Sequence, residues 1–275
     1  MKIFVTGGSG FIGGHFINIV PDEIEIIANK RNTSKNKIKI SREVNWFQKE
    51  LNDLSSKDLN GVDTLIHFAS AGVSPQKATW QELYNFNVNC TLTLLRMAAE
   101  AGVKRIIMAG SYIEYGLSAN FYKYIPASAA LLPTTPYASS KASAFELAYA
   151  FCLNAKIPLF YNRIFSVYGY GQFEGNLWPS LRKAAINNED FKMTNGEQIR
   201  DFISVEDVAL EFLKDLKLDV NDKFEPAVRN ICSGKGISIF DFASVWWKTW
   251  NAKGRLLPGA IPIRIEEPKR FVGEC

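Results

Sequence analysis

Short apolar runs alternate with longer stretches of helical period from the N-terminus as far as Ile164. Lys2–Val5 runs into Thr6-Gly-Gly-Ser-Gly-Phe-Ile-Gly13, after which Phe16, Ile17 and Val20 recur at helical spacing, the pattern of a strand, a glycine turn and a helix. Ile24–Ala28, Val44–Phe47, Thr64–Phe68, Arg105–Ala109 and Pro158–Ile164 predict further strands, and Trp80–Ala101 and Tyr137–Ala155 predict helices between the later ones. Alternation of this kind predicts an α/β fold of Rossmann type: a doubly wound parallel sheet whose ligands sit beyond the carboxyl ends of its strands. Beyond Arg163 the pattern breaks into Gly- and Pro-containing loops, with helices predicted at Asn176–Asn187, Val205–Leu216 and Ile239–Trp250. A first domain over residues 1–163 and a smaller C-terminal lobe over 164–275 are expected, sharing one interface and free to interleave.

Composition narrows the class. With 275 residues, 47% hydrophobic and 22% charged, the chain is neither disordered nor dependent on disulfides for a core. Lys and Arg exceed Asp and Glu by 32 to 28, and outside Lys30–Lys39 the basic residues are scattered, so no nucleic-acid partner is expected. No apolar run approaches the roughly 18 residues of a membrane span, and no signal peptide is apparent, which predicts no membrane partner and a cytoplasmic protein. Cys90, Cys152, Cys232 and Cys275 lie far apart and are expected as reduced thiols. His15 and His67 are the only histidines and there is no Cys-x-x-Cys, so no metal site is expected. Trp178, Trp246, Trp247 and Trp250 are read as lobe core rather than as a carbohydrate platform.

The glycine turn carries the first chemistry. Gly7, Gly10 and Gly13 allow a tight turn and close approach of backbone to a pyrophosphate, and the amides of Phe11, Ile12 and Gly13 open a helix whose positive end attracts it. An acidic residue ending the second strand would bind the ribose hydroxyls of NAD(H), but Asn29-Lys30-Arg31 stands there instead. Two cations and no carboxylate suit a 2′-phosphate, so NADP(H) is favoured over NAD(H), which stays possible.

These and other motifs resemble the extended short-chain dehydrogenase/reductases, the nucleotide-sugar epimerase/dehydratase/reductase family, from Lys2 to about Val272. Thr6–Gly13 is similar to the family's cofactor turn, His67-Phe-Ala-Ser-Ala71 to its fourth-strand motif, and Asn87-Val-x-x-Thr91 to the opening of its long helix. Tyr137-Ala-Ser-Ser-Lys141 matches Tyr-x-x-x-Lys, Ser111 precedes Tyr115-Gly116 by four residues, and Gly196–Asp207 completes the set. The resemblance implies Ser111, Tyr137 and Lys141 as catalytic residues. It also implies cofactor contacts from Phe68, Ala69, Ala71, Tyr137 and Lys141 and an adenine contact at Glu50-Leu51. For the substrate it implies Ser111, Tyr112, Asn176 and Arg200, the last two gripping a diphosphate. It further implies a homodimer built from Trp80–Ala101 and Tyr137–Ala155. The spacing itself places Lys141 beside Tyr137 on one helix face, where an ammonium is expected to lower the phenol from its usual value near about 10.

Within the family, dehydratases follow the catalytic hydroxyl with Asp-Glu, whereas Tyr112-Ile113 stand here and Glu114 is displaced by one. The basic strand end, Ser-x-x-Glu-Tyr-Gly116 and Gly196–Val205 resemble bacterial 4-ketoreductases acting on CDP- or dTDP-linked 4-keto-6-deoxyhexoses, in deoxysugar biosynthesis for lipopolysaccharide O-antigen. The alternatives are a nucleotide-sugar epimerase retaining NAD and, from another class, a non-enzymatic NADP-binding sensor. An intact Ser111, Tyr137 and Lys141 set argues against the sensor.

Overall fold

The computed structural model describes residues 1–31, 35–73, 78–218, 224–262 and 268–275. Its centre is a seven-stranded sheet made from β1 (Lys2–Thr6), β2 (Glu25–Lys30), β3 (Asn45–Gln48), β4 (Thr64–His67), β5 (Arg105–Ser111), β6 (Leu159–Ile164) and a late strand, Ala227–Ile231. Every pairing is parallel, in the order Ala227–Ile231, β6, β5, β4, β1, β2, β3. The doubly wound sheet expected from the sequence is therefore present. Its order reverses between β1 and β4, which opens the ligand crevice at their carboxyl ends.

The strands read as unbroken apolar runs because both faces are buried. On one face Phe4, Leu65, Ile106 and Tyr161 meet Leu94, Leu95 and Ala98 of one helical arm and Ala148 and Cys152 of another. On the other, Ile3, Val5, Ile66 and Ile107 meet Phe16 and Ile17 from α1 (Phe11–Ile19). The predicted Trp80–Ala101 helix is realised as α2 (Trp80–Tyr84), a π turn over Asn85–Cys90 and α3 (Thr91–Glu100). Thr79 and Glu82 close a reciprocal cap at its start. The long helix α4 (Pro136–Ala155) begins with Thr135 capping the Ala138 amide and Pro136 in its first turn.

After β6 the chain leaves the sheet through β7 (Ser166–Tyr168), α5 (Leu177–Asn187), β8 (Phe191–Lys192) and β9 (Ile199–Ser204). It then returns: Val208 and Phe212 of α6 (Val205–Lys217) join the α1 face, and Ala227–Ile231, β10, pairs with Phe160–Ile164. The C-terminal segment thus adds a strand and a helix to the sheet built by the N-terminal one. The rest of the lobe is β11 (Gly236–Ser238), α7 (Ile239–Thr249), β12 (Leu256–Leu257) and β13 (Arg270–Phe271), which lies beside β9. Trp247 is buried and donates to the Gly254 carbonyl at 2.9 Å. Trp178, Trp246 and Trp250 are half-buried and pack ring against ring, 5.1–5.5 Å between centroids.

The cysteines correct the expectation of reduced thiols. The β9–β13 pairing, with the Gly273 amide bonded to Asp201, carries Cys275 alongside Cys232 at the end of β10, and the two form a disulfide with Cα atoms 6.0 Å apart. Forty-three residues of sequence separate them, so spacing gave no hint. Cys90 and Cys152 are free and buried. Among the described residues no helix is long and apolar enough to cross a membrane.

Candidate active site

The glycine turn closes as its spacing requires. Gly7 has φ +71°, and a Cβ there would lie 2.7 Å from the Ala69 amide nitrogen; a Cβ on Gly13 would collide with the Gly7 carbonyl oxygen. The Gly10 amide donates to that oxygen at 2.9 Å, so α1 starts directly over the turn. No acidic residue occupies the first turn of α1, and no side chain caps Gly10, leaving the helix's positive end and the Phe11 and Ile12 backbone uncompensated. This is a cradle into which only bare backbone fits, and it suits a dinucleotide pyrophosphate. Phe68 and Ala69 line its β4 side: the Ala69 amide faces Thr6 Oγ1 at 3.4 Å, and the Phe68 ring packs between Phe16 and Phe212.

At the end of β2, Asn29 is buried and donates to the Lys49 carbonyl at 2.6 Å, while the Lys30 ammonium rests 4.7 Å from the Trp46 ring centre. Arg31 follows, exposed, and the basic segment beyond it is drawn back to the glycine turn where the Lys37 amide donates to the Ser9 carbonyl at 2.9 Å. Glu50 is exposed at the start of a short 3₁₀ turn, whereas Leu51 is buried in the core cluster of Phe4 and Leu65 on one face of the sheet.

Ser111 ends β5 and Tyr137 and Lys141 sit in the first two turns of α4. The Lys141 ammonium is buried and donates to the Ala109 carbonyl at 2.8 Å, two residues before Ser111, which ties the helix to the strand. Asn87, on the π turn, accepts from the Ala71 amide at 2.8 Å and donates to Ser140 at 2.9 Å; Ser140 in turn donates to the Tyr137 carbonyl at 2.8 Å. Ser70 also donates to Asn87, at 3.1 Å, and its side chain reaches the Tyr137 phenol. The extra residue of the π turn lets a side chain from the middle of this arm close on the site. Asn87 and Ser140 lie 53 positions apart, and only their contact shows this link.

The phenol corrects a second expectation. Burial pushes Tyr137 up to about 12, with the charge of Glu114 adding to it, and burial pulls Lys141 below its usual value. The ammonium donates one hydrogen bond to a backbone carbonyl, and burial is the largest influence on the phenol, so Tyr137 is protonated at neutral pH. Nearby, His67 bridges Thr6 (2.7 Å) and Thr91 (3.2 Å), and burial and Lys141 drive it down to about 3.

Glu114 is not exposed at all. Its carboxylate accepts from the Ser111 amide and the Tyr161 hydroxyl, each at 2.8 Å, and from Arg163 Nε at 2.8 Å. It is thus committed to the interior and is no free acid for dehydration. Tyr112 is half-buried, stacked on Phe165 at 5.3 Å and edge-on to Phe271.

The two expected diphosphate grips differ. Asn176 stands at the N-cap position of α5 yet its side chain makes no capping bond, which leaves the carboxamide for another partner. Arg200 is buried, and its guanidinium donates to the carbonyls of Ile199 (2.9 Å), Pro268 and Lys269 (3.3 Å each) over the Phe271 ring. It holds the C-terminal segment to β9.

A seven-stranded Rossmann sheet with a glycine cradle at its switch point defines the architecture of a dinucleotide-binding fold, with Ser111 at the end of β5 and Tyr137 and Lys141 at the start of α4. Residues 3–225 match the model of the NAD dependent epimerase/dehydratase family, and the chain belongs to that family. CDP-abequose synthase of Salmonella muenchen is 26% identical over 97% of this chain and 86% of its own. UDP-glucose 4-epimerase of Erwinia amylovora is 28% identical over 90% and 82%. Among solved structures, MoeE5 in complex with UDP-glucose and NAD superposes with a TM-score of 0.86 at 28% identity, covering all of this chain and 89% of that one.

Proposed function

We propose that the protein reduces a CDP- or dTDP-linked 4-keto-6-deoxyhexose to a deoxysugar nucleotide with NADPH. The observation that carries this reading is the end of β2, where Asn29 is bound to backbone, Lys30 lies on Trp46, and no carboxylate stands to repel a 2′-phosphate. NADPH, when bound along Gly7–Gly13, supplies hydride to the ketone carbon. Ser111 orients the ketone oxygen, Tyr137 donates it a proton, and Lys141 holds the helix end and the nicotinamide ribose. A phenol protonated at neutral pH suits the reductive direction, which consumes a proton. Asn176 is the diphosphate contact in this reading. A relative named for CDP-abequose supports a CDP-linked sugar. Incubation with NADPH and a panel of CDP-, dTDP- and GDP-4-keto-6-deoxyhexoses, followed by NMR of the products, tests it; loss of NADPH with no reduced sugar, or no reaction with any member, overturns it.

Epimerisation with retained NAD is the second reading, favoured by the UDP-glucose 4-epimerase relative and the NAD of MoeE5. Interconversion of a UDP-hexose without net NADPH consumption would select it. NADPH is expected to bind at least about tenfold more tightly than NADH, the scale of a charge-assisted contact. Equal affinities in a fluorescence titration, or a preference for NADH that survives Lys30→Ala and Arg31→Ala, would remove the main ground for reductase over epimerase. A homodimer through α2, α3 and α4 is part of the same reading: Trp80 and Leu153 on those helices are exposed apolar residues. Light scattering at micromolar concentration is expected to give twice the chain mass, and a monomeric mass would contradict it.

A further inference from the structure

Glu114 and Arg163 are respectively 0% and 1% exposed, and a buried ion pair adds little stability over apolar residues of the same size. The arrangement around it is specific. One carboxylate oxygen takes both the Ser111 amide and the Tyr161 hydroxyl, and Tyr161 also reaches the Lys141 carbonyl at 3.5 Å. The other takes Arg163 Nε, whose guanidinium lies 4.2 Å from the Phe145 ring of α4 and donates to the Ala127 carbonyl at 2.9 Å. A single carboxylate is therefore bonded to the strand end that carries Ser111 and, through β6, to the helix that carries Tyr137 and Lys141.

The pair is also oriented. Its positive end is turned to Ala127 and Tyr115, while its negative end acts on Lys141 and Tyr137. The other groups that face these two are Tyr112 from the same turn, Tyr161 from β6 and neutral His67 from β4. We propose that Glu114, held by Arg163, is a positioning residue of this site: it fixes Ser111 through its backbone amide and keeps a buried negative charge facing Lys141 and Tyr137. The proposal rests on the reading of Ser111, Tyr137 and Lys141 as the catalytic set.

The test is titration of Lys141 in cofactor-free protein labelled with carbon-13 at lysine Cε, its signal assigned with Lys141→Met. Wild type is compared with Glu114→Gln and with the double variant Glu114→Gln, Arg163→Met, which leaves no unpaired charge. The midpoint of Lys141 is expected to fall by about one pH unit in both variants. Thermal stability should fall in the single variant and largely return in the double. Turnover in the ketosugar assay should stay at least about tenfold down in both, with KM for NADPH unchanged. A double variant that regains stability while its Lys141 titrates as in wild type would reduce the pair to a structural role and overturn the proposal. Should the variants not fold, the wild-type curve decides: Lys141 must carry its proton at pH 7.5, and a neutral amine there overturns it. The titration needs no substrate, so failure of wild type to reduce any ketosugar would count against the reductase reading alone.

Discussion

Tyr137→Phe is expected to lower ketosugar reduction by at least about a hundredfold while leaving NADPH affinity nearly unchanged, the scale of positioned acid catalysis. The ring stays and packs as before; only the hydroxyl that donates to the ketone oxygen is lost. Most of the contacts assigned to the cofactor lie elsewhere, at the glycine turn, the end of β2 and Lys141. Lys141→Met should impair both turnover and affinity, because the ammonium joins α4 to the Ala109 carbonyl at the end of β5. Ser111→Ala should act chiefly on turnover. Stopped-flow reduction and fluorescence titration separate the two quantities. Near-normal reduction by Tyr137→Phe would move the proton to another group. Glu114 could not take that role, being bonded to Arg163, Tyr161 and the Ser111 amide, so the catalytic assignment itself would be wrong.

The second large effect is on stability in mild acid. His67 is held down to about 3 in the folded protein and returns to about 6.5 when unfolded. The unfolded chain therefore binds the proton first, so stability is full above about 6.5 and is lost as the pH falls towards 3. The sign follows from the buried, neutral imidazole bridging Thr6 and Thr91, which cannot charge without losing its place. Linkage at these two values gives a loss of about 2 kcal/mol between pH 8 and pH 5. Urea unfolding at pH 8, 6.5 and 5 should show this slope in wild type and lose most of it in His67→Gln. Equal slopes in the two proteins would show that the histidine is not the group responsible.

What could be read along the chain is what local periodicity and local spacing control. The strand–turn–helix at Lys2–Ile19, Thr135-Pro136 opening α4, and Tyr137 and Lys141 one turn apart all follow from residues within a few positions of each other. Features set by contacts between distant segments stayed hidden. Cys232 and Cys275 meet only because β13 lies against β9, and Arg200 is buried only because the same segment crosses it. The direction in which the Tyr137 phenol shifts was misread for the same reason. Spacing placed an ammonium near the phenol, but it showed neither the Ala109 carbonyl to which that ammonium donates nor the burial of the phenol. Glu114 looked like a displaced acid until Arg163, 49 residues on, was seen to claim it.

The pairing of Ala227–Ile231 with β6 also governs how the chain is made. While the chain emerges from the ribosome, the face that α6 covers stays bare until Lys217 has been synthesised, and the outer backbone edge of β6 has no neighbour until Ile231 has been. A sheet ending at β6 thus still lacks one of its seven strands, and exposes a β6 edge of the kind that captures other chains. Termination between Ile164 and Ile231 is expected to leave an aggregation-prone fragment, because the later segment supplies a strand and a covering helix to the sheet that precedes it.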